Sequence, residues 1–343
     1  MSKIFDWKEK IDNEELNIVI DSLKNDELVI LPTETVYGLA ASAYSDLACK
    51  KIFEAKGRAQ DNPLIVHVSD KKMIYDIVDN INEIEEKLID TFMPGPFTLI
   101  LNKKLCICDT VTCGGKTVGI RMPSNKIINE VIKKGNIPLA APSANVSGRP
   151  SGTCIEDIKN EFEGKVDYFV DGGKCDIGIE STVVKVIDGI PTILRPGFIT
   201  EDDIKKVIGK VALSDKLFKK VEAGEKVESP GMKYRHYAPK TKCILVEEKD
   251  EQINIINDLI NKNINCCVLG FKEDRNKINI EDKYFICLGS KNNLKEVSSN
   301  VFTSLRKVDE MNCTLAIIEG LERKNFGLSI MNRLVRACEN NVL

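Results

Sequence analysis

Histidine is nearly missing from this chain: only His67 and His236 occur in 343 residues. A metal centre built from several histidines is therefore excluded, and each of the two must be judged alone. There is one tryptophan, and aromatic residues make up 6% of the sequence. No basic and aromatic residues alternate in the manner of a single-strand RNA reader. Nor is there an excess of one charge, since 49 basic face 52 acidic side chains for a net of −3. Nothing here demands a polyanionic partner, although a local basic site stays open. No apolar run approaches the ~20 residues that cross a bilayer. The first residues, MSKIFDWKEKIDNEE, carry charges where a signal peptide needs an apolar stretch, so a cytoplasmic protein without membrane association is expected. Twelve cysteines show no Cys-x-x-Cys spacing, which argues for reduced thiols. Cys106, Cys108, Cys266 and Cys267 fall in or near strand-like stretches and are expected to be buried.

What is present is enough apolar residue, 43%, for two cores, the natural division of a chain this long. Periodicity predicts helices over 14–25, 46–56, 125–134, 155–162 and 201–208, and two more within 71–92. Strands are predicted over 28–31, 64–68, 97–101, 118–121, 139–141, 166–170, 182–186 and 192–194. This is a mixed α/β pattern with helices beside a sheet. Residues 209–240 lose periodicity and read as a linker. Beyond it, strands over 243–246, 266–269, 284–288 and 315–318 alternate with helices over 252–262, 293–307 and 329–338, the mark of a small parallel α/β domain. The expected division is thus 1–208, 209–240 and 241–343.

Chemistry is usually mounted on loops, and those of the first domain are rich in Gly, Pro, Ser, Thr and Arg. Gly115-Lys116-Thr117 resembles the end of a phosphate-binding P-loop. Its first glycine is replaced by Thr110 and a strand follows instead of a helix, so a turn is the better reading. A nucleotide would instead be held by basic side chains, for which Lys56, Arg58, Arg121, Arg149 and Arg195 stand at loop edges. Ser143-Ala144-Asn145 offers hydroxyl and amide groups to a phosphate or adenine, or simply forms a turn. Strand alternation puts His67 on the side of Ile65, as a core residue or a ligand contact. Glu34 and Glu180 read as isolated carboxylates without a partner at useful spacing. Tyr234, Arg235, His236 and Tyr237, crowded between prolines in the linker, have the composition of a lid that excludes water.

Taken in order, Leu31-Pro-Thr-Glu-Thr-Val-Tyr-Gly-Leu39, Lys56-x-Arg58 leading to Asp61-Asn-Pro-Leu-Ile-Val-His67, Pro94-Gly-Pro96, Arg121-Met-Pro123, Ala141-Pro-Ser-Ala-Asn145, Asp171-Gly-Gly173, Glu180-Ser-Thr182 and Leu194-Arg-Pro-Gly197 resemble the threonylcarbamoyl-AMP synthases. The linker and trailing domain resemble the longer Sua5 form of that family rather than the single-domain YrdC form. The resemblance implies a twisted mixed-sheet YrdC-like catalytic domain around a large basic cavity, followed by a small Rossmann-like domain. It implies a nucleotidyltransferase that condenses ATP, L-threonine and bicarbonate to threonylcarbamoyl-AMP and releases pyrophosphate. The product would pass to the tRNA threonylcarbamoyl-transferase machinery for threonylcarbamoyl-adenosine at position 37, an arrangement that leaves room for weak RNA contact.

By the same resemblance, Lys56, Arg58, Ser143 and Asn145 form the catalytic nucleotide signature, with Asn62, Thr117, Ser151, Arg195, His236 and Tyr237 also at ATP. Thr35, His67, Arg121, Ala141 and Ser181 line the threonine pocket, where Arg121 would pair with the substrate carboxylate. Tyr234, His236 and Tyr237 would close the cavity, and Mg2+ would arrive with ATP. The chain departs from the family at Ala59-Gln60, where a proline commonly follows the Lys-x-Arg arginine. Two other classes remain as alternatives: an RNA-binding module, and a carbamoyltransferase using carbamoyl phosphate.

Overall fold

Asp12 begins the first helix, Asn13–Lys24, by accepting the N–H groups of Glu14 and Glu15 on its carboxylate. The helix buries Leu16, Val19, Ile20 and Leu23 along one stripe and leaves its polar residues outside. The helix Asp46–Lys56 is capped by Ser45 and stops at Gly57, whose φ of 58° suits glycine. That turn buries Lys56 and carries the chain straight into the Arg58 loop. Both belong to a computed structural model that describes residues 2–218, 235–263 and 265–343.

Those residues divide into two units. The first comprises the described residues of 2–147, 152–176 and 180–218; the second comprises 148–151, 177–179 and the described residues from 235 on. In the first, the strands are β1 (Lys3–Asp6), β2 (Val29–Leu31), β3 (Gly38–Ser42), β4 (Ile65–His67), β5 (Phe97–Asn102), β6 (Thr117–Arg121), β7 (Leu139–Ala140), β8 (Tyr168–Asp171), β9 (Thr182–Ile187), β10 (Ile190–Arg195) and β11 (Ala212–Leu213). They form one sheet in the order β1-β8-β2-β3-β7-β4-β6-β5-β9-β10-β11. Pairing is mixed, for example parallel between β4 and β6 and antiparallel between β5 and β6. The expected mixed α/β class is what the chain adopts.

The second unit has four parallel strands, β12 (Lys242–Val246), β13 (Cys266–Phe271), β14 (Phe285–Gly289) and β15 (Leu315–Glu319), in the order β12-β15-β13-β14. Helices Gln252–Lys262, Leu294–Glu310 and Asn325–Ala337 alternate with them. Its core gathers Val246, Ile256, Val268 and Ile317.

Three expectations need correction. Strands β1 and β3 went unread: β3 is Gly-Leu-Ala-Ala-Ser, buried at every position and without β-branched residues, so neither alternation nor composition marks it. The stretch read as linker contains β11, which adds a parallel edge to β10. Cys106 is exposed, whereas Cys108, Cys266 and Cys267 are buried.

Phe169 lies fully buried in β8 between β1 and β2, paired with Ile4 and Ile30. Its replacement by alanine removes a fully buried ring and leaves a cavity, and should cost about 3–5 kcal/mol. Chemical denaturation of the two proteins measures this.

Candidate active site

The loop between β2 and β3 is folded by its own hydroxyls. Thr33 Oγ1 accepts the N–H groups of Thr35 (3.1 Å) and Val36 (3.2 Å) and donates to the Val36 carbonyl at 2.6 Å. The loop is tied onward through Ala144 N–H to the Tyr37 carbonyl (2.7 Å) and Leu39 N–H to the Pro142 carbonyl (2.9 Å). Thus residues 33–37 and 141–145, remote in sequence, share one backbone framework.

Lys56, 1% exposed, completes that framework. Its ammonium donates to the carbonyls of Ser143 and, at 2.6 Å, Asn145. Ser143 Oγ donates to Asn145 Oδ1 at 2.6 Å, so the Ser-x-Asn segment is a turn pinned from below by the lysine. Burial first, then the nearby Arg58 cation, push the Lys56 pKa well below its ordinary 10.5, while Glu161 and Glu180 oppose the shift. Arg58 curls over its own loop, donating from Nε to the Asn62 carbonyl (3.0 Å) and from Nη2 to the Pro63 carbonyl (2.9 Å). Asn62 is buried, with Oδ1 lacking a hydrogen-bond partner among the described residues.

A second group is aligned by strand register. Paired residues of adjacent strands present side chains to the same face. His67 pairs with Arg121 across β4 and β6 and with Leu139 across β4 and β7, so His67 and Arg121 share a face. Thr98 pairs with Val183, which pairs with Arg195, in β5, β9 and β10. Arg121 Nη1 donates to Thr35 Oγ1 at 2.9 Å, and its Nη2 lies 2.8 Å from Glu34 Oε1. That last contact has the distance of an ion pair but not the angle of a hydrogen bond, since Arg121 Nε and Nη2 and both Glu34 oxygens still lack hydrogen-bond partners among the described residues.

The expectation that Glu34 stands alone is therefore corrected: sequence spacing could not reveal a partner 87 positions away. Glu180, the other carboxylate read as isolated, acts electrostatically on Lys56. Arg195 donates from Nε to the Ser181 carbonyl and from Nη2 to Ser181 Oγ, both at 3.1 Å. Ser181 Oγ in turn lies 2.7 Å from Thr98 Oγ1.

Of the remaining residues singled out by the sequence, Ala141 donates its N–H to the Ile65 carbonyl (3.0 Å), beside the His67 strand. Thr117 opens β6 opposite Asn102, so Gly115-Lys116-Thr117 is indeed a turn before a strand. Ser151, His236 and Tyr237 fall in the second unit. There Arg306 donates to the Pro150 carbonyl, Tyr237 packs its ring 5.1 Å from Phe302, and the His236 ring is 5.5 Å from Tyr237. Arg149 Nη2 faces Asp309 Oδ2 at 3.7 Å in the same unit. Tyr234 lies outside the described residues. No group of three or more His, Cys, Asp or Glu side chains suited to a metal occurs among the described residues.

The family described as "Telomere recombination", which joins the Sua5, YciO and YrdC proteins, matches residues 21–197, and the "Threonylcarbamoyl-AMP synthase, C-terminal domain" matches residues 199–338. The chain belongs to the Sua5 threonylcarbamoyl-AMP synthase family. Its relatives include the threonylcarbamoyl-AMP synthase of Pyrococcus abyssi, 38% identical over 98% of each chain. That of Bacillus subtilis is 39% identical over 94% of this chain and 92% of its own. The solved structure of P. abyssi Sua5 complexed with L-threonine superimposes with a TM-score of 0.92 at 36% identity, covering 100% of this chain and 99% of that one. A doubly substituted form of the same protein gives 0.93, covering 100% and 98%. The family fold therefore extends over both units of the chain.

Two expected outcomes follow from the geometry. A Cβ on Gly197 would stand 2.3 Å from the Thr182 nitrogen and 2.7 Å from the Ser181 carbonyl carbon, backbone that cannot yield. Gly197→Ala should therefore lose about 1–3 kcal/mol by forced repacking, read by denaturation. His67 is 3% exposed, and burial followed by the Arg121 charge pushes its pKa from 6.5 down to about 3. Between those values the unfolded chain binds the extra proton and the folded one does not, so stability falls as pH drops through that window. His67→Gln should flatten this loss relative to the wild type, measured as unfolding free energy at several pH values from 7 to 4.

Proposed function

We propose that the chain is an L-threonylcarbamoyladenylate synthase acting as a nucleotidyltransferase. The threonine amine, once it has given up its ammonium proton, bonds to the bicarbonate carbon with loss of water, and the carbamate oxygen attacks the α-phosphorus of ATP in line, expelling pyrophosphate. The observation that supports this best is the enclosure of Lys56, Arg58, Arg121 and Arg195 within the first unit, each buried and hung on backbone or hydroxyl groups. Cations held in fixed positions away from water neutralise developing phosphate charge without reorganising. The L-threonine held by the solved P. abyssi relative supports the amino-acid half of the reading.

In this reading Lys56 and Arg58, with Ser143, Asn145, Asn62, Thr117 and Arg195, serve the nucleotide, and Ser151, His236 and Tyr237 keep the nucleotide role that the family resemblance gives them. Thr35, His67, Arg121, Ala141 and Ser181 serve threonine, with the carboxylate on Arg121. Lys56 also acts indirectly, because its two carbonyl contacts set the shape of the Ser143–Asn145 turn. Mg2+ belongs to the nucleotide substrate, held by phosphates and water, in keeping with its preference for retained water ligands. The product would feed tRNA modification in the cytoplasm. No helix of the described residues is long and apolar enough to cross a membrane.

The decisive assay supplies ATP, labelled bicarbonate and threonine, and watches for pyrophosphate and a labelled adenylate. Lys56→Ala and Arg58→Ala should each lower pyrophosphate release by roughly 100-fold or more. Undiminished turnover in both would overturn the nucleotide assignment. Consumption of carbamoyl phosphate instead of bicarbonate would favour a carbamoyltransferase, and tight tRNA binding without ATP turnover would favour an RNA-binding module.

A further inference from the structure

We propose that Glu34 is the anionic half of a receptor for a zwitterion, taking the α-ammonium of the amino-acid substrate while Arg121 takes its α-carboxylate. The inference rests on the threonine site of the preceding section and adds a residue that the sequence left without a role.

Glu34 is 5% exposed and Arg121 4% exposed, so both charges are shielded from water. Their 2.8 Å contact balances charge, yet it leaves hydrogen-bonding capacity unused on both sides. On Arg121 the unused atoms are Nε and Nη2, whose N–H groups form the side-on fork that grips a carboxylate bidentately. Nη1, on the other side of the guanidinium, is already bound to Thr35 Oγ1, which fixes the direction in which the fork opens. On Glu34 both oxygens are without a donor. Buried polar atoms are normally paired, and a set that is not calls for an explanation.

A donor fork and an acceptor pair, held within 3 Å, match the carboxylate and ammonium of one α-amino acid. The carboxylate supplies two acceptors for Nε and Nη2. The ammonium supplies donors for Glu34. Thr35 and the Thr33 hydroxyl are tied in one hydrogen-bonded run from Arg121 to the Val36 carbonyl. The pair is therefore preorganised, which limits the ordering cost of binding. The chemical class selected is an amino acid with both ends free; a hydroxy acid lacking the amine satisfies only half of the receptor.

The test compares dissociation constants of L-threonine and of 3-hydroxybutyrate, the same skeleton without the amine, by calorimetry on the full chain. The wild type should prefer threonine by about 30-fold or more, the usual consequence of leaving a buried charge unpaired. In Glu34→Gln, threonine should weaken by a similar factor while 3-hydroxybutyrate changes little, so the preference collapses, and ATP affinity should be unchanged. Glu34→Asp, which keeps the charge, should retain a preference for threonine. Equal weakening of both ligands in Glu34→Gln would mean a merely structural role and overturn the proposal, as would an unchanged preference. A wild type that binds the two ligands equally has no ammonium site and overturns it whether or not the variants fold. Failure of this proposal alone leaves threonine binding by the wild type intact; a wild type that binds ATP and no threonine overturns the functional reading as well.

Discussion

A guanidinium taken out of water must be surrounded by acceptors, and much of the site in the first unit is arranged around that requirement at Arg121. Isolated, such a charge would cost several kcal/mol to bury. Thr35 meets it in part by a hydrogen bond and Glu34 by its charge, both from one loop, and the Thr33 hydroxyl holds that loop by folding residues 33–36 upon themselves. The same positive charge acts on His67, its register partner, and helps to keep that ring neutral. One enclosed cation is thus bonded to a loop that its own hydroxyls fold, and it adds to the burial that keeps a neighbouring strand residue neutral.

Lys56 solves a similar problem by a different route. Its ammonium is enclosed between two carbonyls, and the turn that supplies them is fixed as a result. The helix ending at Gly57 delivers this lysine and Arg58 to adjacent positions, one bound to a distant turn and the other to its own loop. Like charges so close oppose each other, which is one reason the Lys56 pKa is lowered; Glu161 and Glu180 temper the effect. A nucleotide triphosphate would relieve that repulsion, so the strain between these cations is consistent with an anionic substrate.

Much of this was legible in the residues. The helices over 46–56, 155–162, 201–208 and 252–262 fall where periodicity places them, because each carries an apolar stripe; Ser45 and Gly57 bound the first of them, and Thr200 and Gly209 the third. Strand β3 was illegible because a short run of small residues, buried throughout, carries no periodic signal. Glu34 was visible as a residue and invisible as a partner: its ion pair bridges the loop after β2 and the end of β6, and spacing along the chain carries no trace of that approach. Arg195 was readable as a loop-edge cation, but its two bonds to Ser181 depend on the pairing of β9 with β10.

The order and kind of the motifs determined the family, the α/β class and the identity of the basic and hydroxyl residues, since these reside in local sequence and side-chain chemistry. Tertiary structure alone decided which of them meet. Strand register put His67 beside Arg121, loop closure put Glu34 against the same guanidinium, and a helix end put Lys56 beneath the Ser143–Asn145 turn. The reason is that electrostatic and hydrogen-bonding energies act over a few ångströms through space, whereas the sequence orders residues only along the chain.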